Sequence, residues 1–169
     1  MNKLDLTEKL KEELKKRNLW EQEDDEDDQE KNDDQDDEDE SDDTSSNHND
    51  DFCEMVCQML HSQTQVHIFH LGTKSYSEHK ALQGYYEGID ALVDGIIESY
   101  QGKYGLLTNY KSYKNQSYKN KNQVLKYFTG LLNTIEEKRD CCDDSYIQNQ
   151  IDTVQELIYS TMYKLKFLN

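Results

Sequence analysis

The chain has 169 residues, of which 34% are apolar and 33% are charged, and it contains no proline. Its formal net charge is −17, but nineteen acidic residues and one basic residue lie between Glu21 and Asp51, so this segment alone carries −18. No apolar run approaches the roughly 20 residues that a membrane-spanning helix needs, and the N-terminus lacks the apolar stretch of a signal peptide. These features argue against membrane insertion and predict an intracellular protein.

The charge distribution divides the chain into three segments. In residues 1–20, leucines recur one turn apart, which predicts a short amphipathic helix or, because such a helix is marginal alone, a frayed tail. Residues 21–51 contain no aliphatic residue and no Phe, Tyr or Trp, so burial cannot offset their ordering entropy and we expect a disordered acidic tail. Residues 52–169 remain and are numerous enough to form one core.

Capping signals mark the first two helices of this core. Asp51 and Glu54 have the spacing of a capping box, which predicts that the first helix begins at Asp51, and Gly72 predicts its end. Ser75 and Glu78 repeat this spacing and predict a second helix that runs to about residue 100. The apolar positions of both helices recur at helical spacing: Phe52, Met55, Val56, Met59, Leu60, Val66, Phe69, Leu82, Tyr86, Ile89, Val93 and Ile96.

The third and fourth helices follow a long polar connection. Residues 103–121 repeat the sequence SYKN and predict an irregular loop, although this length is unusual in a compact domain. The next apolar stripe ends near the turn EKRDCCDD, and the last one runs nearly to the C-terminus. Four helices with one apolar face each predict an all-α fold, a four-helix bundle with one long connection between its second and third helices.

The four cysteines show neither a C-x-x-C pair nor the density of a disulfide scaffold. Cys53 and Cys57 share one helical face and are predicted to be buried as small hydrophobic residues, whereas Cys141 and Cys142 fall in a turn. We expect all four thiols to be reduced.

A row of polar residues on the second helix is not needed for packing. Its members are three or four residues apart on one face: His79, Gln83, Glu87, Asp90, Asp94 and Glu98. Stacked carboxylates repel one another, so the row is either a solvated face or a cation site. Because His67, near the end of the first helix, and His79 flank the same tight turn, the pattern favours a cation site.

The metal ligands that we select are His67, His79, Asp94 and Glu98. The Glu-x-x-His motif of di-iron sites in bundle cores is absent from the sequence. His79 and Asp94 are fifteen residues apart, about 22 Å along a straight helix, so one ion cannot contact both within a subunit. Across a two-fold interface the helices run antiparallel, and the histidines of one subunit face the carboxylates of the other. Imidazole with carboxylate suits iron, and also zinc or manganese.

The segment HIFHLGTKSYSEHKALQGYYEGIDALVDGIIE resembles the ferroxidase segment of Dps-like ferritins. That family has two histidines, a glycine, an aspartate and a glutamate at the spacing of His67, His79, Gly72, Asp94 and Glu98. A closer likeness, through QVHIFHLGTKSYSEHKAL and LVDGIIESYQGKYG, is to an uncharacterised ferritin-like group of phages and large DNA viruses. The resemblance implies a ferritin-like homo-oligomer with two-fold interfaces, ferroxidase sites and iron oxidation by peroxide or oxygen. For a viral chain it implies the host cytoplasm or the virion.

Several positions depart from the family pattern or add to it. Gln83 stands where the family usually has an aspartate, and a neutral amide is a weaker ligand. His70 is an additional imidazole, and together with Gln83 and Asp90 it is predicted to surround the ligands rather than to join them. The neutral Gln83 favours a second hypothesis, a non-catalytic ferritin-like module, oligomeric or virion-associated, that binds other molecules.

The acidic tail bears on the partners of the chain. DNA-binding members of the resembled family typically use a lysine-rich tail, whereas a tail of charge −18 repels phosphates and argues against DNA binding. In the second hypothesis, residues 21–51 engage basic partner proteins instead. The stretch from Lys103 to Lys121 is the only basic aromatic stretch, and its composition is typical of a solvated loop.

Overall fold

The computed structural model describes residues 43–168, with side chains from His48 onward. This range contains no β-strand and is mostly helical: α1 spans Asp43–Gly72, α2 Tyr76–Tyr104, α3 Lys121–Lys138 and α4 Ser145–Phe167, with a turn of 3-10 helix, Arg139–Cys141, before α4. The predicted all-α fold with four helices is confirmed for residues 43–168. None of these helices is long and apolar enough to cross a membrane. The predicted N-terminal helix and residues 21–42 of the acidic segment lie outside the described residues.

The beginning of α1 differs from the prediction. The helix starts at Asp43, so residues 43–51, which we predicted to be part of a disordered tail, are helical, and the cap predicted at Asp51 is wrong. Polar contacts hold this part of α1 to the bundle: the Tyr100 hydroxyl donates to Asn49 Oδ1 at 2.5 Å, and Lys138 Nζ donates to Asp51 Oδ1 at 2.7 Å. An argument from apolar burial alone cannot detect such contacts.

α2 begins where the sequence predicted and ends later. The side chain of Ser75 accepts a hydrogen bond from the Glu78 amide at 3.4 Å, which confirms the predicted N-cap. The Glu78 carboxylate does not complete a capping box, because it accepts from the hydroxyls of Thr73 and Tyr118, each at 2.8 Å. α2 then continues past residue 100 and stops at Gly105, whose φ of 92° favours glycine.

The connection between α2 and α3 is an irregular crossover, residues 105–120, and most of its residues are exposed, as the sequence predicted; it is also held against α1. Leu107 is buried, and the fully buried side chain of Gln65 on α1 holds the crossover by two bonds. Gln65 Nε2 donates to the Gln116 carbonyl at 2.8 Å, and the Gln116 amide donates to Gln65 Oε1 at 2.7 Å. Because a buried amide needs both its donor and its acceptor satisfied, this pair fixes the path of the crossover.

The crossover carries the chain back along α1. It starts near the N-terminal half of α1, where Asn109 donates to Asp50 at 2.9 Å, and it ends at the C-terminal end of α1, where Tyr118 packs against Gly72. α2 and α3 therefore begin at the same end of the bundle and run in the same direction. The long connection that the sequence predicted between the second and third helices is confirmed.

α4 runs antiparallel to α2 and closes the bundle. Gln150 near the start of α4 donates to Ser99 near the end of α2 at 3.2 Å, and Leu157 lies against Gly88 further along both helices. The apolar stripes predicted for the last two helices are buried at these positions: Val124, Phe128, Leu131, Leu132, Ile135, Ile147, Ile151, Val154, Ile158, Met162 and Leu165.

The fully buried tyrosine of α2 is Tyr85, whereas the sequence predicted Tyr86 in the apolar stripe. Ser62 Oγ donates to the Met59 carbonyl at 2.6 Å, so the Tyr85 hydroxyl is the donor in its 2.8 Å bond to Ser62. Burial raises the pKa of Tyr85 above its usual range, and the hydroxyl remains protonated to donate this bond. Tyr86 is half-buried and packs on His67 instead.

The predictions for the cysteines are confirmed. Cys53 and Cys57 are buried, the pair Cys141 and Cys142 follows α3 in a turn, and all four thiols are free. Burial raises the pKa of Cys53 to about 11 and the pKa of Cys141 to about 12. Both thiols are therefore protonated at neutral pH, which makes them poor nucleophiles.

Asp144 ties the start of α4 to the end of α2, and this contact gives a pH-dependent contribution to stability. Its carboxylate accepts from Lys103 Nζ at 2.5 Å and from the Tyr104 hydroxyl at 2.6 Å, and these bonds lower the pKa of Asp144. Since the folded-state pKa is below the unfolded one, the contribution is present above about pH 4 and is lost as the pH falls through the folded pKa.

We therefore expect Asp144→Asn to lower the urea midpoint of unfolding at pH 6, and this deficit to shrink toward about pH 2. The matched control is Asp143→Asn, because Asp143 makes no such contact and is exposed. Urea unfolding followed by circular dichroism measures both variants. An Asp144→Asn deficit of equal size at both pH values would contradict this account.

Candidate functional site

Three histidines meet at the tight turn between α1 and α2. His67 and His70 lie in the last two turns of α1, one helical turn apart, and His79 lies in the first turn of α2. The Ser75 cap starts α2 directly after the turn, so His79 returns to the side of α1 that carries the other two. The His70 and His79 rings stack with their centroids 3.6 Å apart, and the His67 ring lies 5.7 Å from the His70 ring.

His70 and His79 are held by reciprocal hydrogen bonds. Nδ1 of His70 donates to the His79 carbonyl at 2.9 Å, and Nδ1 of His79 donates to the His70 carbonyl at 3.2 Å. Because a carbonyl oxygen only accepts, both Nδ1 atoms carry a proton. In the neutral imidazoles the free lone pair is then on Nε2, so each ring presents Nε2 as its metal-binding nitrogen.

His67 is more accessible than the other two. It is exposed, whereas His70 is buried and His79 is half-buried. The His67 ring stacks on Tyr86 of α2 with centroids 4.2 Å apart and an interplanar angle of 19°. This stacking orients the imidazole without using either of its nitrogens.

The carboxylates of α2 form an exposed row that begins about four helical turns after the turn region. Asp90, Asp94 and Glu98 are all exposed, and none of them makes a hydrogen bond or ion pair within residues 48–168. Negative side chains without counter-charges repel one another, so this row stabilises any cation that it contacts.

Gln83 separates the histidines from the carboxylate row. Its Oε1 accepts from Lys80 Nζ at 2.6 Å, and its Nε2 donates to Glu87 Oε1 at 2.7 Å. The amide therefore bridges a cation and an anion along the surface of α2. A carboxylate at this position would lose the second of these bonds, because it has no donor.

A family model described as a family of unknown function (DUF5856) matches residues 70–165, more than half of the chain. The chain belongs to DUF5856. The matched range includes His79, the carboxylate row, the crossover and most of α4, and it begins just after His67. No curated protein and no solved structure matches the DUF5856 chain described here.

A single DUF5856 chain brings together only part of the selected ligand set. His67 and His79 come together with His70, whereas Asp94 and Glu98 lie further along the continuous helix α2. Along this helix Asp94 is about 22 Å from His79. Within residues 48–168, no three His, Cys, Asp or Glu side chains are placed to hold one metal ion. The chain therefore carries a cluster of imidazoles beside the turn and a separate row of carboxylates further along α2.

Sequence reasoning placed His70 outside the ligand set, and it missed the bonds between His70 and His79. The signal in the sequence was the spacing, because His67 and His70 are three residues apart and share one face of α1. The outer role predicted for Gln83, Asp90 and His70 stays a prediction. The contact that orients His79 comes from the backbone of α1, and no residue pattern encodes it.

Exposed apolar side chains flank the imidazole cluster, and others lie on α4. Leu71 is 72% exposed and Tyr76 is 77% exposed, and both flank the turn that carries the histidines. On α4, Tyr159, Tyr163 and Phe167 are exposed at successive turns, and Phe167 lies at the same end of the bundle as the turn. Apolar surface of this kind favours contact with another protein surface.

Proposed function

We propose that this chain is a subunit of a ferritin-like homo-oligomer that binds Fe(II) and oxidises it at sites shared between two-fold-related subunits. The observation that carries the proposal is the division of ligands within one chain. The imidazoles of His67 and His79 and the carboxylates of Asp94 and Glu98 are too far apart to share an ion, and each group lacks the ligands that the other offers.

Antiparallel pairing of two α2 helices joins two half-sites. The imidazole half-site, His67 and His79, of one subunit meets the carboxylate half-site, Asp94 and Glu98, of the other. A two-fold axis near the middle of α2 brings His79 of one subunit opposite the partner's Asp94, and the symmetry repeats the arrangement. On the face that carries these residues, the same pairing places Gln83 of one subunit opposite the partner's Asp90, because both pairs have the same midpoint along α2. An amide therefore faces each of these carboxylates near the axis, which favours the pairing over contact between like charges.

The topology supports the ferritin-like part of the proposal. Four-helix bundles with one long crossover, in which the second and third helices run in the same direction, are the ferritin-like class. The crossover 105–120 and the parallel directions of α2 and α3 fit this class. The register of His67, Gly72, His79 and Asp94 with the Dps-like motif is an independent argument from the sequence.

The donor set suits iron as a substrate. Two imidazole nitrogens with two carboxylates are borderline and hard ligands, which bind Fe(II) and Fe(III), and zinc or manganese are the alternative metals. The protein's part is to hold Nε2 of His79 free of its proton and to supply negative charge from the row on α2. Hydrogen peroxide takes one electron from each of two Fe(II) ions and, with two protons, leaves as two water molecules. Molecular oxygen is the alternative oxidant.

A second candidate function rests on Gln83. Its amide is engaged by Lys80 and Glu87 at the position where the resembled family usually has an aspartate, which favours a structural role for this face of α2. In that case the chain is a non-catalytic oligomeric or virion-associated module whose acidic segment, residues 21–51, engages basic partners. Retention of basic proteins by the full chain, lost on deletion of residues 21–51, would support this function.

The experiment that tests the first candidate is anaerobic Fe(II) loading of the purified full-length oligomer, followed by addition of hydrogen peroxide. We expect Fe(II) to bind and peroxide to be consumed at one molecule for each two Fe(II) oxidised. Absorbance of Fe(III) and a peroxide assay follow the reaction, and free Fe(II) in the same buffer is the control. An oligomer that neither retains Fe(II) nor speeds its oxidation over the control would contradict the proposed ferroxidase.

A further inference from the structure

A cleft of about 860 Å³ opens between α1, the crossover 105–120 and α3, on elements that carry none of the proposed iron ligands except His67 on α1. Three lysines line it, Lys114, Lys119 and Lys126, together with His61. Half of the remaining lining residues are asparagine or glutamine, and no aspartate or glutamate of residues 48–168 lines the cleft. A positively charged cleft is therefore built into a chain whose formal net charge is −17.

The lysines of the cleft have no counter-charge among residues 48–168. Lys114, Lys119 and Lys126 form no ion pair with residues 48–168. Other lysines of the same structure do have carboxylate partners: Lys103 pairs with Asp144, and Lys138 pairs with Asp51. Three neighbouring ammonium groups without an anion repel one another, and a bound anion relieves this repulsion.

We propose that this cleft binds a small phosphate-bearing anion, a nucleoside phosphate or a polyphosphate, through Lys114, Lys119 and Lys126. Its volume lies within the range of about 300–1,000 Å³ that is usual for sites of small molecules. Phosphate is a multivalent anion that lysines bind as point charges. The strongly negative chain repels long polyanions, which favours a small ligand over nucleic acid.

Neutral polar groups of the cleft complement the lysines. The Tyr113 hydroxyl is buried without a hydrogen-bond partner among residues 48–168, and burial raises the pKa of Tyr113, so this hydroxyl remains an available donor. Amide side chains supply both donors and acceptors, which are the groups that orient a polar ligand. α3 also begins at the cleft, and its first turn contains no acidic residue to compete with an anion.

Gly130 allows the cleft to be filled without disturbing the core. It lines the cleft on α3, and a side chain built there would meet nothing within 4 Å. Gly102 on α2 has the same open surroundings outside the cleft, so Gly102→Phe is the matched control for Gly130→Phe. Both glycines lie inside helices, where replacement of glycine does not cost helix propensity.

The test is isothermal titration calorimetry on the full-length protein in metal-free buffer with chelator, using ATP, tripolyphosphate and adenosine as separate ligands. We expect ATP, tripolyphosphate or both to bind the wild type. Gly130→Phe and the double variant Lys119→Ala/Lys126→Ala should each weaken binding at least about tenfold. Gly102→Phe and Lys164→Ala/Lys166→Ala, which change positions outside the cleft, should leave binding unchanged.

The two anions distinguish the sources of the phosphate. Tighter binding of ATP than of tripolyphosphate identifies a nucleoside phosphate, and equal binding identifies the phosphate chain alone. The proposal is overturned if neither anion binds the wild type at millimolar concentration, if the control variants weaken binding as much as the cleft variants, or if adenosine binds as tightly as ATP. Because iron is absent from the assay, its result is independent of the ferroxidase test.

Discussion

Asp94→Asn is expected to lower the rate of Fe(II) oxidation by the intact oligomer at least about 100-fold. The substitution removes the negative charge of a proposed metal ligand and keeps its shape, and changes around metal sites that leave the ligands themselves in place already cost 10- to 100-fold. Asp94 is exposed and makes no contact that folding needs within the described residues, so Asp94→Asn should fold and assemble normally.

The imidazole half-site should respond in the same way. His67→Gln removes an exposed imidazole whose only ring neighbours are His70 and Tyr86, and the expected loss of oxidation rate matches that of Asp94→Asn. His70→Gln is expected to cause a smaller loss, of about tenfold, because His70 orients His79 through backbone bonds without binding iron in our account.

Two surface variants serve as controls for these substitutions. Glu156→Gln removes an exposed carboxylate from α4, and His48→Gln removes an exposed histidine from α1, both outside the proposed site. Bound Fe(II) at equilibrium and the initial oxidation rate are measured on oligomers whose size is verified by analytical ultracentrifugation. Wild-type rates in Asp94→Asn and His67→Gln would remove these residues from the ligand set, whereas equal losses in the controls would point to a non-specific charge effect.

Helical periodicity predicted the bundle because the stripes of the last two helices are unambiguous. Ile147, Ile151, Val154 and Ile158 recur every three or four residues with polar residues between them, and all four are buried. Gly72 and Ser75 predicted the turn that brings the histidines together, because the end and the start of a helix depend on the local backbone. Local rules of this kind depend only on neighbouring residues, which the sequence contains in full.

Features that depend on contacts between distant residues were not predictable in the same way. Tyr85 and Tyr86 both fit the spacing of the α2 stripe, and the choice between them depends on Ser62, which accepts from the Tyr85 hydroxyl, and on His67, which stacks on Tyr86. The start of α1 likewise depends on bonds such as that from Tyr100 to Asn49, between residues fifty-one positions apart. A pattern within one helix contains no information on these partners.

The candidate site could be predicted to the same extent. The spacing of His67, His79, Asp94 and Glu98 along two helices gave the separation of the half-sites, because a helix has a fixed rise for each residue. The reciprocal bonds between His70 and His79 depend on backbone carbonyls, and the path of the crossover depends on the buried Gln65. Composition predicted that the crossover is exposed, but it did not predict these bonds.

Restoration of activity in mixed oligomers is the second large effect that we expect, and it tests the shared site most directly. One chain carries His67→Gln/His79→Gln, the other carries Asp94→Asn/Glu98→Gln, and each forms inactive oligomers alone. The two are co-expressed in equal amounts with different tags, and oligomers that contain both are purified. In a mixed pair, one of the two shared sites combines intact histidines with intact carboxylates. In an oligomer of many subunits that pair at random, half of the pairs are mixed, so roughly a quarter of wild-type activity should return.

The calibrating sample is a mixture of wild type with a chain that carries all four substitutions. If the sites are shared, this mixture should also have roughly a quarter of wild-type activity. If each site lies within one subunit, this mixture should have about half of wild-type activity, and the mixture of the two inactive chains should have none. The measurement is the initial rate of Fe(II) oxidation per subunit in both mixtures. We predict equal activity in the two mixtures, near a quarter of the wild-type rate. If the wild type is active but oligomers of the two complementary chains are as inactive as each chain alone, the shared site is contradicted.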